Sequence, residues 1–112
     1  MIPGLFVVVA LAAAPAPNTA RAEGHVPVDP RAAVVRPYRA RFERVAWCES
    51  RRRWHIATGN GFYGGLQFTL QSWRAVGGRG YPHWWSRLEQ MYRAVRLLHL
   101  QGWAAWPVCG HV

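Results

Sequence analysis

The sequence predicts a small, α-rich α+β domain, and three patterns in its second half indicate that fold. Apolar residues recur at helical spacing over residues 42–49 and again over residues 88–99. Between these segments, residues 58–65 contain four glycines and the pair Asn60-Gly61, which is typical of a tight turn or a short, irregular β element. The chain has 112 residues, which is enough for one small domain.

The first of three predicted helices carries the candidate catalytic residue. Phe42, Val45 and Ala46 recur on one face of this helix, and Glu49 follows on the same face near its end. A carboxylate in that position is partly desolvated, and desolvation raises its pKa.

The other two helices follow the glycine-rich segment. The second is expected over residues 69–76, with Thr69 as its N-cap and a Gly-Gly pair after its end. The third is the longest, over residues 86–102, and Ser86 and Glu89 have the spacing of a capping box at its start.

The N-terminal part of the chain is predicted to lie outside the domain. Residues 1–22 combine an apolar run, two prolines and the small residues Ala20 and Ala22, a pattern typical of a secretory signal cleaved after Ala22. No basic residue precedes the run, so either the signal is poor or the start lies upstream. The alternative is a buried N-terminal helix, which the prolines would end abruptly. Residues 23–40 are interpreted as a linker, which leaves residues 41–112 as the domain.

Charge restricts the class of partner. All 14 basic residues are arginine, against 5 acidic residues, and the formal net charge is +9. Such a charge implies an anionic partner, and an exported protein first meets the carboxylates and phosphates of a cell wall. Nucleic acid is not expected as the partner. The five histidines show no metal-ligand spacing, so no metal site and no cofactor are expected. A monomer without stable membrane insertion is predicted.

The two cysteines, Cys48 and Cys109, are predicted to form one disulfide. An exported chain with two cysteines and no Cys-x-x-Cys pair favours a disulfide over a metal site or a redox pair. The bridge would fasten the C-terminus to the helix that carries Glu49. A domain of this size buries little apolar surface, so such a link contributes substantially to its stability.

Three short blocks carry a family resemblance. They are residues 47–50 (WCES), residues 58–68 (TGNGFYGGLQF) and residues 101–110 (QGWAAWPVCG). With these blocks in this order, residues 42–110 resemble the catalytic domain of the resuscitation-promoting factors, which are secreted actinobacterial proteins that act on peptidoglycan. The resemblance implies a small, reduced lysozyme-like domain with one disulfide, located outside the cell or in the cell wall.

Carboxylates are scarce, and this restricts the chemistry. Only Glu49 is a plausible catalytic acid; the others precede the domain, cap a helix or lie on another helix face, and they are Glu23, Asp29, Glu43 and Glu89. Ordinary glycosidases use two carboxylates. The resemblance implies a lytic transglycosylase or weak muramidase, in which Glu49 acts first as acid and then as base on the bond between N-acetylmuramic acid and N-acetylglucosamine. The alternative role of Glu49 is an ion pair with the arginines that follow it.

Four residues are candidates for substrate binding: Asn60, Tyr63, Gln67 and Ser72. Saccharide sites use planar amides for N-acetyl and hydroxyl groups, and aromatic faces for the apolar side of sugar rings. Ser72 takes the place of a hydroxyl residue, usually Thr, that the resemblance implies near the acid. The alternatives are that Asn60 is only a turn residue and that Ser72 is an exposed helical serine.

Seven tryptophans follow residue 46. Four match family positions and are predicted to be core residues in preference to sugar-stacking ones, namely Trp54, Trp73, Trp103 and Trp106. Trp47, Trp84 and Trp85 do not match, and they are expected to extend a sugar-facing or partner-facing surface.

Residues 51–53, Arg-Arg-Arg, depart from the Gly-Gly-Asn of the family pattern. Three positive charges next to Glu49 are expected to stabilise its ionised form and to oppose its role as an acid. Alternatively, they bind the carboxylates of peptide stems or the phosphates of the wall.

Two functional hypotheses follow. The first is a secreted enzyme that cleaves peptidoglycan glycan strands, alone or with a partner cell-wall hydrolase, and promotes the growth of dormant cells. The second is a non-catalytic, cationic wall-binding protein that retains the fold.

Overall fold

The structure, a computed structural model, describes residues 26–112; the predicted signal, residues 1–22, lies outside this range. Residues 26–112 form four α-helices, α1 (Pro30–Val35), α2 (Arg39–Ser50), α3 (Leu70–Ala75) and α4 (Arg87–Gln101). Short 3₁₀ helices lie at Arg36–Tyr38, Pro82–Trp84, Gly102–Ala105 and Cys109–His111. Isolated antiparallel bridges join Ala57 to Tyr63 and Tyr63 to Phe68 in the glycine-rich segment. The predicted α-rich domain with one small, irregular β element is confirmed.

Helix α2 buries the face that the sequence predicted. Phe42, Val45 and Ala46 are fully buried. The ring of Phe42 lies 5.3 Å from that of Trp103 and 5.5 Å from that of Trp106, between ring centroids. The aromatic core therefore packs directly against the helix that carries Glu49.

The structure differs from the predicted linker, because residues 30–40 are helical. Val35 is fully buried, and Arg31 pairs with the carboxylate of Glu89 in α4. The prolines that suggested a linker are compatible with a helix, since Pro30 occupies the first turn of α1, where its missing N–H removes no hydrogen bond. The packed part of the chain therefore begins before the predicted domain boundary.

Helices α3 and α4 start where the sequence predicted. Thr69 and Ser86 cap them, and each hydroxyl accepts an N–H of the first turn at 3.1 Å. Only half of the predicted capping box forms in α4. The Glu89 carboxylate pairs with Arg31 and Arg93, so it does not accept the N–H of Ser86, which would be the second bond of a capping box. Two guanidinium partners offset the cost of burying this charge.

The side chain of Gln90, in α4, joins three loops. It is fully buried; its Oε1 accepts the N–H of Gly65 (3.0 Å), and its Nε2 donates to the carbonyls of Trp54 (2.8 Å) and Trp85 (2.9 Å). A buried amide is tolerated only when its polar atoms are paired, and here every bond goes to backbone. A Cβ at Gly64 would collide with this amide, so glycine is required there. The glycine-rich segment is therefore fixed to α4 through one side chain.

The C-terminal segment returns to α2. The indole N–H of Trp106 donates to the carbonyl of Leu66 at 3.0 Å, in the buried core. Cys109 is bonded to Cys48, which lies 61 residues earlier in the chain, with their Cα atoms 5.7 Å apart. The disulfide prediction is confirmed, and the bond ties the last turn of the chain to α2.

The tryptophans divide as the sequence predicted. Three of the four expected core residues are buried and the fourth packs partly buried against them: Trp54, Trp73, Trp106 and Trp103. Trp47, Trp84 and Trp85 are exposed. Within residues 26–112, no helix is both long and apolar enough to cross a membrane.

Replacement of Gln90 by Met should destabilise the domain although the side-chain volume is nearly retained. The N–H of Gly65 and two carbonyls would lose their buried partner, and each unpaired buried group costs about 1–3 kcal/mol. We expect the free energy of unfolding in urea to fall by at least ~2 kcal/mol. Gln101→Met, at an exposed position of the same helix, is the matched control and should stay within ~0.5 kcal/mol. Equal effects of the two substitutions would contradict the role given to Gln90.

Candidate active site

Glu49 lies half-buried in the last turn of α2. Burial raises the pKa of its carboxyl group above the usual value, because less water surrounds the charged form. A carboxyl group with a raised pKa stays protonated to higher pH, as a proton donor requires. Glu49 therefore has the electrostatic character of a general acid.

The other acidic side chains in residues 26–112 are all paired with arginine. The pairs are Asp29–Arg31 (2.6 Å), Glu43–Arg87 (3.0 Å) and Glu89–Arg93 (2.7 Å). Glu49 has no salt-bridge partner in this part of the chain, so the alternative of a helix-end ion pair is not supported.

Residues 26–112 contain no group of three or more His, Cys, Asp or Glu side chains that could hold a metal ion.

The expectation that residues 51–53 stabilise ionised Glu49 is wrong. The first two guanidinium groups lie over the ring of Trp47, 5.2 and 5.6 Å from its centroid. The third donates from its Nε to the carbonyl of Ser50 at 2.8 Å. The guanidinium groups are held in these contacts, and burial is the cause of the shift in the pKa of Glu49. Burial raises this pKa, whereas the expected effect of the arginines was to lower it.

The residues on both sides of Glu49 are fixed. The hydroxyl of Ser50, which is buried, donates to the carbonyl of Gly65 (2.8 Å) and accepts the N–H of Arg53 (3.1 Å). On the other side, Cys48 is held by the disulfide. The end of α2 is therefore held against the glycine-rich segment and the C-terminal segment together.

Gly65 is the point at which these contacts meet. Its carbonyl accepts from Ser50 and its N–H donates to Gln90, so both backbone groups are paired with buried side chains. A Cβ at this position would overlap the ring of Trp54. Only glycine lets the backbone approach this closely, which explains the second glycine of the Gly-Gly pair.

Tyr63 and Gln67 lie on the same turn as Gly65. Gln67 adopts a left-handed backbone conformation (φ 54°), and its Nε2 donates to the carbonyl of Gly64 at 2.9 Å. Tyr63 bridges to Phe68 across the turn and is half-buried. An amide and an aromatic ring thus occupy the turn that contacts the end of α2. Their predicted role in substrate binding stays a prediction.

Asn60 and Ser72 lie outside these contacts. The Oδ1 of Asn60 accepts the N–H of Phe62 at 3.0 Å, which favours the alternative that Asn60 is a turn residue. Ser72 is half-buried in α3, where its N–H donates to the hydroxyl of Thr69. This contact is compatible with Ser72 either as a substrate-binding residue or as an ordinary helical serine. Substrate binding by Asn60 and by Ser72 stays a prediction.

An aromatic cluster extends the surface at Tyr63, and the sequence patterns did not identify it as a unit. Tyr63, Tyr81, His83 and Trp84 have neighbouring ring centroids 5.0–6.3 Å apart. Trp84 is 66% exposed. Exposed aromatic rings beside a polar turn offer flat apolar faces of the kind that sugar rings contact. The density of aromatic residues after Gly80 was the available signal.

Gln90 is the positioning residue that the sequence analysis missed. It lies at i, i+4 and i+7 spacing with Ala94 and Leu97, which are both buried, so the helical pattern places it on the inward face of α4. A glutamine on a buried face needs hydrogen-bond partners, and that requirement was the overlooked indication.

Comparison with known proteins places this fold and site in a family. The model of the transglycosylase-like domain family matches residues 36–109. The resuscitation-promoting factor Rpf of Micrococcus luteus is 63% identical over 68 residues, which are 61% of this chain and 30% of that protein. Resuscitation-promoting factor RpfE of Mycobacterium tuberculosis is 51% identical over 73 residues, covering 65% of this chain and 42% of that protein.

Rpf1 of Corynebacterium glutamicum is 46% identical over 71 residues, covering 61% of this chain and 37% of that protein. The chain spans less than half the length of each of these three relatives. The matched residues contain the whole of α2 with Glu49, the glycine-rich segment and the disulfide. The chain belongs to the transglycosylase-like domain family, as represented in the resuscitation-promoting factors.

Proposed function

We propose that this domain cleaves the glycan strands of peptidoglycan at the bond between N-acetylmuramic acid and N-acetylglucosamine, with Glu49 as the sole acid and base. The observation that carries the proposal is the half-buried carboxyl of Glu49, which has a raised pKa and no ion-pair partner within residues 26–112. The family membership supports glycosidic-bond cleavage. The names of the relatives support a role in resuscitation.

The proposed reaction needs one carboxyl group. Protonated Glu49 donates its proton to the glycosidic oxygen, and the bond from that oxygen to C1 of the muramyl sugar breaks. The carbonyl oxygen of the muramyl N-acetyl group bonds to C1, in place of a second carboxylate. Ionised Glu49 then accepts the proton of the C6 hydroxyl, whose oxygen bonds to C1 and displaces the acetamido oxygen. The product carries a 1,6-anhydromuramyl end, and no water is consumed.

The contacts around Glu49 support this cycle. The same carboxyl group must serve two proton transfers at nearby oxygens, and a fixed position favours both. Cys48 and Ser50 provide that position through the disulfide and through the bond to Gly65. The amide of Gln67 on the adjoining turn is the proposed partner for an N-acetyl or hydroxyl group of the substrate. If a water molecule takes the place of the C6 hydroxyl, ionised Glu49 accepts a proton from that water instead. The bond is then hydrolysed, and the domain acts as a muramidase.

One observation favours a second candidate, a non-catalytic wall-binding protein. Residues 51–53 are exposed arginines, and they make no ion pair with Glu49. A basic surface of this kind binds anionic polymers without cleaving them. Catalysis by Glu49 distinguishes the two candidates.

Glu49→Gln should abolish most turnover while it preserves the fold. The substitution retains the shape of the side chain and removes the transferable proton, so we expect at least a ~100-fold loss of kcat on purified peptidoglycan. Mass spectrometry of the released fragments measures the rate and separates 1,6-anhydro ends from hydrolysed ends, which are heavier by one water. Asp29→Asn, which removes a carboxylate at the cap of α1, is the control and should keep turnover within a few fold. Unchanged turnover in the Glu49 variant would exclude the mechanism.

The raised pKa of Glu49 predicts a pH-dependent difference in stability between the native protein and Glu49→Gln. Where the pKa is higher in the folded state, that state binds more protons than the unfolded chain, so stability falls as pH rises. The stabilising contribution is complete below the unfolded pKa of about 4.3 and is lost as pH rises through the folded value. In urea denaturation from pH 4 to pH 8, the native protein should therefore lose stability relative to the variant. A difference that is constant with pH, or of opposite sign, would contradict the assignment.

A further inference from the structure

A basic surface lies beside the end of α2, separate from Glu49. It contains two cavities of about 660 and 410 Å³. The larger is lined by Arg52, Arg53, Trp54, His55, Ile56 and Arg87. The smaller is lined by Glu43, Arg44, Trp47, Cys48, Arg52 and Val112. Arg52 lines both cavities and Glu49 lines neither, so they adjoin each other outside the candidate active site. We call the five arginines 44, 51, 52, 53 and 87 the arginine surface.

Three of the five guanidinium groups of the arginine surface are held in place by aromatic rings. Those of Arg51 and Arg52 lie over Trp47, and that of Arg87 lies 5.6 Å from the ring centroid of Trp54. Such cation–π contacts restrict long side chains before any ligand arrives, so less entropy is lost on binding. They also place charge over the Trp47 ring, which favours an anion over a sugar at this position.

The charge of the arginine surface is mostly uncompensated. Glu43 is the one acidic side chain that lines these cavities, and it lies 3.0 Å from Arg87 and 3.9 Å from Arg52. Arg44 and Arg51 make no salt bridge within residues 26–112. Guanidinium groups without carboxylate partners are available to bind anionic oxygens in pairs of hydrogen bonds.

Two of these arginines occupy unfavourable backbone conformations. Arg51 and Arg52 both have left-handed φ angles, 57° and 59°. A residue with a Cβ costs about 1 kcal/mol or more there, whereas glycine adopts this conformation freely. The backbone conformation thus gives no reason for arginine at these two positions. Strain of this kind is characteristic of positions retained for binding.

We propose that the arginine surface is a binding site for a linear phosphodiester polymer of the bacterial wall. Several arginines that line two adjoining cavities match a chain in which every repeat carries one anionic charge and two free phosphate oxygens. The carboxylates of peptide stems are borne singly on flexible branches and match a group of several arginines less well. The site would hold the domain on the wall while Glu49 acts on glycan nearby. The choice of a wall polymer rests on the proposed function, whereas the phosphodiester chemistry rests on the arginine surface alone.

The test measures binding of fluorescently labelled poly(glycerol phosphate) by anisotropy, over a range of salt concentrations. In Arg44→Gln/Arg52→Gln, affinity should fall at least tenfold near physiological salt. The plot of log affinity against log salt has a negative slope, and the magnitude of that slope should decrease by about 1–2. Both residues are exposed, so the fold should be retained, which circular dichroism checks. Arg74→Gln/Arg96→Gln removes the same charge from exposed positions elsewhere and should change affinity no more than threefold.

Three outcomes would overturn the proposal. Equal losses in the two double variants would mean that net charge alone governs binding. Equal or tighter binding of poly(glutamate) of matched length would assign the surface to carboxylates. Tighter binding of single-stranded DNA would assign it to another phosphodiester polymer. The same measurements on Glu49→Gln should give native affinity, so failure of the cleavage mechanism and failure of this site are distinguishable.

Discussion

The end of helix α2 is fixed on both sides of Glu49, and the rest of the site depends on this constraint. Cys48 is bonded to Cys109, and the hydroxyl of Ser50 is bonded to the carbonyl of Gly65. The disulfide brings in the C-terminal segment, and the serine brings in the glycine-rich turn. We attribute the position of the half-buried Glu49 carboxyl group to these two restraints, and its burial raises its pKa.

The glycine-rich turn is itself fixed from behind. Gln90 bonds to the backbone of Gly65, and the close contact of Gly65 with Trp54 leaves no room for a side chain. Ser50 and Gln90 therefore position the same residue, Gly65, from α2 and from α4. A site built on two helices and one shared backbone segment keeps its geometry better than a site on loops alone.

Local patterns predicted much of this arrangement. The inward face of α2, the caps of α3 and α4 and the disulfide follow from helical spacing, from Thr69 and Ser86, and from a pair of cysteines with no other partner. The boundary of the packed part depends on a contact distant in sequence. Helix α1 was interpreted as a linker because its packing depends on α4, 58 residues away at the Arg31–Glu89 pair.

The direction of the arginine side chains could not be read from sequence for a different reason, because it depends on the local backbone conformation. Proximity to Glu49 along the chain suggested that residues 51–53 would stabilise its charge. The left-handed turn at Arg51 and Arg52, with Trp47 as a platform, directs the first two guanidinium groups elsewhere. The same turn explains why the family pattern has glycines at these two positions, since glycine adopts the conformation without strain. A carboxyl group with a raised pKa and a basic surface are thereby accommodated within a few residues.

The central claim is that anchoring of α2 on both sides holds Glu49 in a partly dry position and raises its pKa. Carbon-13 NMR titration of the Glu49 carboxyl measures this directly, in the native protein and in Ser50→Ala, which removes the bond to Gly65. The account predicts a native pKa above the ordinary value of about 4.3, and a shift back towards that value in the variant. A native pKa at or below the ordinary value, or one unchanged by loss of the serine hydroxyl, would contradict it.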